Sequence, residues 1–320
     1  MIRCAVRFVV LGIGLSLVGC DGGASPECRF GAECASGVCR ADGTCEPAAG
    51  SDAGGADGGR DAGPAGGSDG GIDGGAPSDG GGASDGGPGT CLVSDGIDRS
   101  EVPLPLGVAT VFRVAMDPSI DSHGVEQPDG TRLWDFEGPY TGDTDHTFTR
   151  TAPSGEWYAS SFPTATYSLP LSAEDDLLGV FELQTDRLLL LGIVSPSGGI
   201  TRTELAYDPP IAIWELPMDV GDSWETTATV TGVNTGVFGT YTERWLVAVD
   251  AVGQVGTPAG VRDVLRLSSR ITRTVGFTPV EVRRLSYVEP CVGTVVQVFG
   301  VDGDSTIEPT MPSELWRIAP

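Results

Sequence analysis

The chain has no lysine: all 19 of its basic residues are arginine, set against 44 carboxylates. The formal net charge at pH 7 is -25. A surface of that sign repels a phosphate backbone, so nucleic acid is excluded as a partner. Histidine is nearly absent, with only His123 and His146. His123 lies in the turn-like Asp121-Ser122-His123-Gly124, and His146 in Asp143-Thr144-Asp145-His146. Neither has a Gly-x-Ser-x-Gly elbow to serve, and their spacing fits no standard metal-ligand set. Phosphate loops and dinucleotide fingerprints are missing. Glu174-Asp175-Asp176 reads as a solvated turn rather than an acid–base pair. The expectation is a non-enzymatic protein without metal or cofactor. Beyond residue 19 no apolar stretch is long enough to cross a bilayer as a helix. No segment carries a capped 3.6-residue hydrophobic period, which removes helical folds.

What is present begins with an export signal. Arg3 and Arg7 precede the apolar run 8–18, the length of a signal-peptide core. The run ends in Leu17-Val18-Gly19-Cys20, which resembles the lipobox of bacterial lipoproteins. The resemblance implies a signal peptide over 1–19, cleavage before Cys20, and diacylglycerol on the Cys20 sulfur. An acylated amine then adds a third chain, such as palmitate, and two or three chains anchor firmly at ~0.8 kcal/mol per buried methylene. Asp21 resembles a signal for inner-membrane retention in some enteric bacteria. The long linker farther on favours display from the outer membrane.

After the lipidated stretch 20–27, Cys28, Cys34, Cys39 and Cys45 are separated by five, four and five residues. The module 28–46 has no core and depends on disulfides for a shape. Of the three possible pairings, the interleaved one, Cys28–Cys39 with Cys34–Cys45, gives a single compact unit. The segment resembles the small Cys-Ser-Gly-x-Cys modules of other bacterial lipoproteins. Residues 47–90 are Gly, Ala, Ser, Pro and Asp, apart from Arg60, Ile72 and Thr90, with recurring Asp-Gly-Gly. That composition cannot offset its ordering entropy, so a disordered linker is expected, with a mean span of ~35–40 Å.

Residues 91–320 differ in kind. Short runs rich in Val, Ile, Leu, Thr, Tyr and Trp alternate with Gly, Pro, Asp and Ser turns. Strands are expected at 108–116, 132–136, 156–160, 166–171, 177–183, 187–194, 200–207, 211–216, 224–231, 241–250, 261–274, 280–288 and 294–299. The fold class is all-β and mostly antiparallel: a curved sheet, half-barrel or sandwich. Tyr241, Trp245, Val247 and Val249 share one face of their strand. Val261, Leu265, Leu267 and Ile271 share another, with Arg262, Arg266 and Arg270 opposite. The unbroken run Leu188–Leu191 marks a strand covered on both sides.

Three marks in the C-terminal half resemble the β-sheet domains of other bacterial lipoproteins. They are Val220-Gly221-Asp222-Ser223-Trp224, the turn Thr257-Pro258-Ala259-Gly260, and Pro290-Cys291-Val292-Gly293-Thr294-Val295. In the last, Cys291 stands where the family has glycine. That departure favours a disulfide and casts doubt on the usual tight turn. Similar sheets include half-barrels that shelter a lipid or acyl chain. Cys91 and Cys291 are the remaining thiols and are expected to pair.

One cluster breaks the blandness. Arg244, Arg262, Arg266, Arg270, Arg273, Arg283 and Arg284 fall on three neighbouring strands of an acidic protein. A shared face including Arg244, Arg262, Arg266 and Arg270 could bind an anionic glycan, phosphate or lipid headgroup. The alternative is cross-strand pairing with Glu243, Asp263 and Glu281. The sequence therefore describes a cell-envelope lipoprotein, lipid-anchored to a membrane, whose non-enzymatic β domain binds or supports. The alternatives are a carrier or sensor of an apolar ligand such as a lipid, and an anionic-glycan module. It assigns no oligomeric state.

Overall fold

The structure is a computed structural model that describes residues 91, 93, 96–102 and 105–320. The signal peptide, Cys20, the module holding Cys28, Cys34, Cys39 and Cys45, and the linker lie outside the described residues.

The described chain is all-β and almost wholly antiparallel. Its strands are β1 (Ala109–Met116), β2 (Val125–Glu126), β3 (Arg132–Asp135), β4 (Thr144–Thr149), β5 (Tyr167–Pro170), β6 (Leu178–Leu183) and β7 (Arg187–Val194). They continue with β8 (Glu204–Glu215), β9 (Ser223–Asn234), β10 (Val237–Thr257), β11 (Gly260–Val275), β12 (Thr278–Glu289), β13 (Gly293–Phe299) and β14 (Glu314–Ile318). The order across the sheet is β4-β1-β14-β13-β12-β11-β10-β9-β8-β7-β6-β5. From β5 to β14 the path is one meander, because each hairpin turn returns the chain beside the strand it has just left.

The sheet curls until its two edges meet. Thr151, just beyond β4, and Ser168 of β5 exchange backbone hydrogen bonds of 3.1 and 2.9 Å. The buried Ser168 hydroxyl bonds Thr151 Oγ1 and accepts from the Tyr158 hydroxyl, each at 2.9 Å. This seam makes a nearly closed barrel and removes most of the exposed edge that an open sheet would leave.

Side-chain parity divides the residues into two cores. Inward positions of β7 to β12, among them Leu190, Trp224, Val230, Trp245 and Leu267, form the main cluster. Phe112, Val114, Phe148 and Trp316 continue it beneath β1, β4 and β14. Outward positions of β10 to β14 make a second core with Trp134 and Phe136. These two residues come from a strap, 117–143, laid across the outside of the barrel. The strap supplies β3, which pairs in parallel with β10 where β9 has ended. The approach there is so close that a Cβ on Gly253 would lie 1.9 Å from the Arg132 carbonyl oxygen. Only glycine admits it.

The expected strands at 187–194, 261–274 and 280–288 are present, and Leu188–Leu191 are buried on both faces. Three expectations need correction. Residues 156–160 are a series of tight turns, with Glu156, Ala159, Ser161 and Phe162 amides each bonding three residues back. The runs 200–207 and 211–216 are one strand, β8, whose Pro209 and Pro210 fall where the pairing with β7 skips. A bulge asks for no amide donor, so proline fits. The doubted tight turn is present: the Val292 amide bonds the Glu289 carbonyl at 3.2 Å, with Cys291 at φ 62°.

Cys91 and Cys291 are disulfide-bonded, with Cα atoms 5.8 Å apart. Backbone bonds beside the disulfide hold the same segment: Cys291 N donates to Glu101 O at 2.7 Å, and Ile97 bridges Met218. A pull on the chain before Cys91 would load a covalent bond before it loaded a strand.

Candidate functional site: the barrel lumen

Two adjoining cavities lie inside the barrel, of about 120 and 200 Å³, sharing Leu171, Leu190 and Arg284 as walls. Each compares with a cavity of about 150 Å³ known to take a benzene-sized molecule. The larger one lies towards the end of the barrel that carries the 300–313 connection, since Gly300, Asp302 and Ser313 line it. The smaller one extends away from that end, under Phe112, Tyr167, Leu188 and Ile213.

Alternate connections of a meander fall at the same end. The turns after β7, β9, β11 and β13 therefore lie at the same end of the barrel as the larger cavity. They carry exposed Ile200, Val237, Phe238, Val275, Phe277, Val301 and Met311. At the mouth Arg273 has a side chain 43% exposed, while Glu243 beneath it is 1% exposed.

Glu243 is fully engaged. It accepts from Arg273 Nε at 2.8 Å, Tyr207 Oη at 3.1 Å and Trp245 Nε1 at 3.0 Å. Burial works against the Arg273 charge, but the Glu243 carboxylate outweighs it and holds the guanidinium above its ordinary pKa. Glu314 is likewise occupied, by the Ser172 hydroxyl, the Ala173 amide and Trp316 Nε1.

Arg284 is different. It projects inward from β12, opposite Ser269 and Phe299. Its guanidinium carbon lies 4.8 Å from the Phe299 ring centroid and 5.6 Å from that of Trp245. Ring contacts of this kind offer no hydrogen-bond acceptor to its N–H donors. Among the described residues it makes no hydrogen bond or ion pair with any carboxylate. Burial accordingly pushes its pKa down. Arg150, beside the seam, also lines the smaller cavity and is also pushed down by burial. Its Nε is buried without a partner. The smaller cavity thus has two arginines and no carboxylate in its wall, within a chain of 44 acidic residues.

The arginines that the sequence set on one face stand apart from this lumen. Arg244 makes a bidentate pair with Glu225 at 2.8 and 2.7 Å on the outside. Arg262 lies 3.5 Å from Glu289. Arg266 is buried beneath the strap, bonded to both Asp250 oxygens and the Ser122 carbonyl, and stacked on Trp134. Arg270 lies opposite Arg283. The partners of the first three are Glu225, Glu289 and Asp250; of the expected cross-strand partners, Glu243 pairs with Arg273. Arg266 clamps the strap, and its burial leaves it no surface for a glycan. Parity explains the division: Arg273 and Arg284 lie on the inward faces of β11 and β12, and Arg266, Arg270 and Arg283 on the outward ones. The sequence grouped Arg284 with its neighbours but could not show that it would line the lumen without an ion pair among the described residues. Arg150 carried no sequence signal.

His123 contacts Arg132 and Glu308 on the strap, and His146 bonds Thr144 Oγ1 and stacks on Phe148. The Ser172 hydroxyl caps the amides of Glu174 and Asp175, as in a solvated turn. No group of three metal-ligating side chains occurs among the described residues.

No known family pattern matches the chain, and no characterised protein matches it in sequence. Among solved structures, it is similar to a candidate lipoprotein of Parabacteroides distasonis. The match has 9% identity, covers 68% of this chain and 95% of the other, and has a TM-score of 0.33. A likeness that distant carries no argument about ligand or activity.

Proposed function

We propose that this chain is a cell-envelope lipoprotein whose β domain is a non-enzymatic carrier or sensor, holding an apolar small molecule in the barrel lumen. The adjoining cavities inside a seam-closed barrel carry the reading. A domain with only a structural role would fill that space with side chains, because voids cost stability. The lipobox, with Cys20 as the lipidated residue, supports a membrane anchor, and the linker supports display from the outer membrane. No partner beyond the membrane and this ligand is required.

The test is saturable binding of the neutral fluorophore N-phenyl-1-naphthylamine to the mature chain. Fluorescence should rise on binding and be lost in Ile213→Trp, which fills the smaller cavity, with the circular dichroism spectrum unchanged. A mature chain that shows no saturable binding refutes the reading. Mass spectrometry of the mature N-terminus tests the anchor, and an unmodified Cys20 would overturn it.

A further inference from the structure

We propose that the lumen ligand is an anionic amphiphile, an apolar chain ending in an acid group, with Arg284 and Arg150 as the cations that receive the acid. The proposal rests on the reading that the lumen is a binding site, and it names the chemistry of the occupant.

Three observations converge. First, Arg284 sets its guanidinium against the Trp245 and Phe299 rings, with no acceptor for its donors among the described residues. A buried cation is retained at this cost only where something opposes its charge. Second, the two buried carboxylates lining the larger cavity are committed elsewhere. Glu243 faces Arg273, and Glu314 is taken up by Ser172, Ala173 and Trp316. Third, Arg150, whose Nε is buried without a partner among the described residues, lines the same cavity. Chance placement would not be expected to put two such groups in one small cavity of a chain whose net charge is -25.

The remaining wall fits the other half of the ligand. Leu169, Leu171, Leu188, Leu190 and Ile213 give an aliphatic lining, closed by Trp316. Arginine suits the head because its planar fork grips a carboxylate or phosphate through two parallel bonds. Gln297 and Ser286 stand beside Arg284 on the same wall and can supply further polar contacts.

The experiment displaces N-phenyl-1-naphthylamine from the full mature chain with three ligands of equal chain length: decanoate, decyl phosphate and decanol. At least one acid should displace the probe at a concentration about tenfold to hundredfold lower than decanol. The better acid identifies the head group as carboxylate or phosphate. Arg284→Gln and Arg150→Gln should each bring the displacing concentrations of acid and decanol closer together, read as a ratio within each variant. Decanol that competes as well as both acids would overturn the proposal while leaving the binding site intact. Failure of the probe itself to bind would remove the binding site instead. The comparison among wild-type ligands needs no variant, so a variant that failed to fold would not rescue the idea.

Discussion

Replacing Arg284 by methionine should make the empty protein more stable, an unusual outcome for a mutation inside a barrel. The guanidinium lies between Phe299 and Trp245, at 4.8 and 5.6 Å, and bonds no carboxylate. Losing its cation–π contacts costs about 0.5–2 kcal/mol. A methionine thioether against the same rings returns about 0.3–1.5 kcal/mol. Relief of an unpaired, desolvated charge is worth several kcal/mol, and less here because part of the group borders a cavity. The net expectation is a gain of about 1–2 kcal/mol. For a domain of this size it should raise the melting temperature by about 2–8 °C. The matched control is Arg273→Met. There the removed charge is the partner of Glu243, which is 1% exposed and would lose its cation. That variant should lose about 1–3 kcal/mol, a moderate figure because Arg273 is itself partly exposed and Tyr207 and Trp245 still hold the carboxylate. Urea melts at pH 7 with unchanged slope would read both effects. If Arg284→Met destabilises the protein as much as Arg273→Met does, Arg284 has a structural partner and the lumen argument fails.

Other outcomes follow from the same structure. Cys91→Ser should lower stability by up to about 5 kcal/mol, because the bond closes a loop of some 200 residues; an unchanged urea midpoint would refute this. Without that bond, glycine at position 291 should exceed alanine there by about 1 kcal/mol, since φ is 62°; equal melts would show that the turn relaxes. The bidentate bonds from Arg244 hold the Glu225 carboxyl below its usual value of 4.5. A depressed folded pKa gives stability that is full above the unfolded value and lost as pH falls through the folded one. Glu225→Gln should therefore flatten the acid limb of the stability profile, and an unaltered limb would assign that limb to other carboxylates. Burial, with Glu243 nearby, pushes the Tyr241 phenol up to about 12, and burial raises Tyr167 and Tyr207 as well. Their contribution is full below the unfolded tyrosine value and lost as pH rises through the folded ones. Phenolate absorbance from these three should appear only with unfolding, and earlier ionisation in the intact fold would contradict their burial.

Much of the fold was legible where strands are long and alternate. β7, β11 and β12 carry continuous or strictly alternating apolar residues, and their limits follow from that pattern. β4 and β14 did not announce themselves. Thr144–Thr149 holds one buried phenylalanine among polar residues, and Glu314–Ile318 buries both Glu314 and Arg317. Periodicity detects hydrophobic burial and is blind to a strand that buries charge against partners elsewhere in the chain. The segment 156–160 misled for the opposite reason: its Trp157 and Tyr158 suit a strand, but the backbone winds through turns that carry Tyr158 to the seam.

Local composition alone determined the all-β class and the strand faces, because alternation is a property of neighbouring residues, while the pairing of Cys91 with Cys291 followed from their being the thiols left over. Closure of the barrel, the strap on its outer face and the isolation of Arg284 were decided only by tertiary structure. A run of arginines looks uniform along the chain. Whether each one meets a carboxylate depends on strands far away in sequence, and a single step in parity sends one guanidinium to solvent or a salt bridge and the next into an apolar lumen.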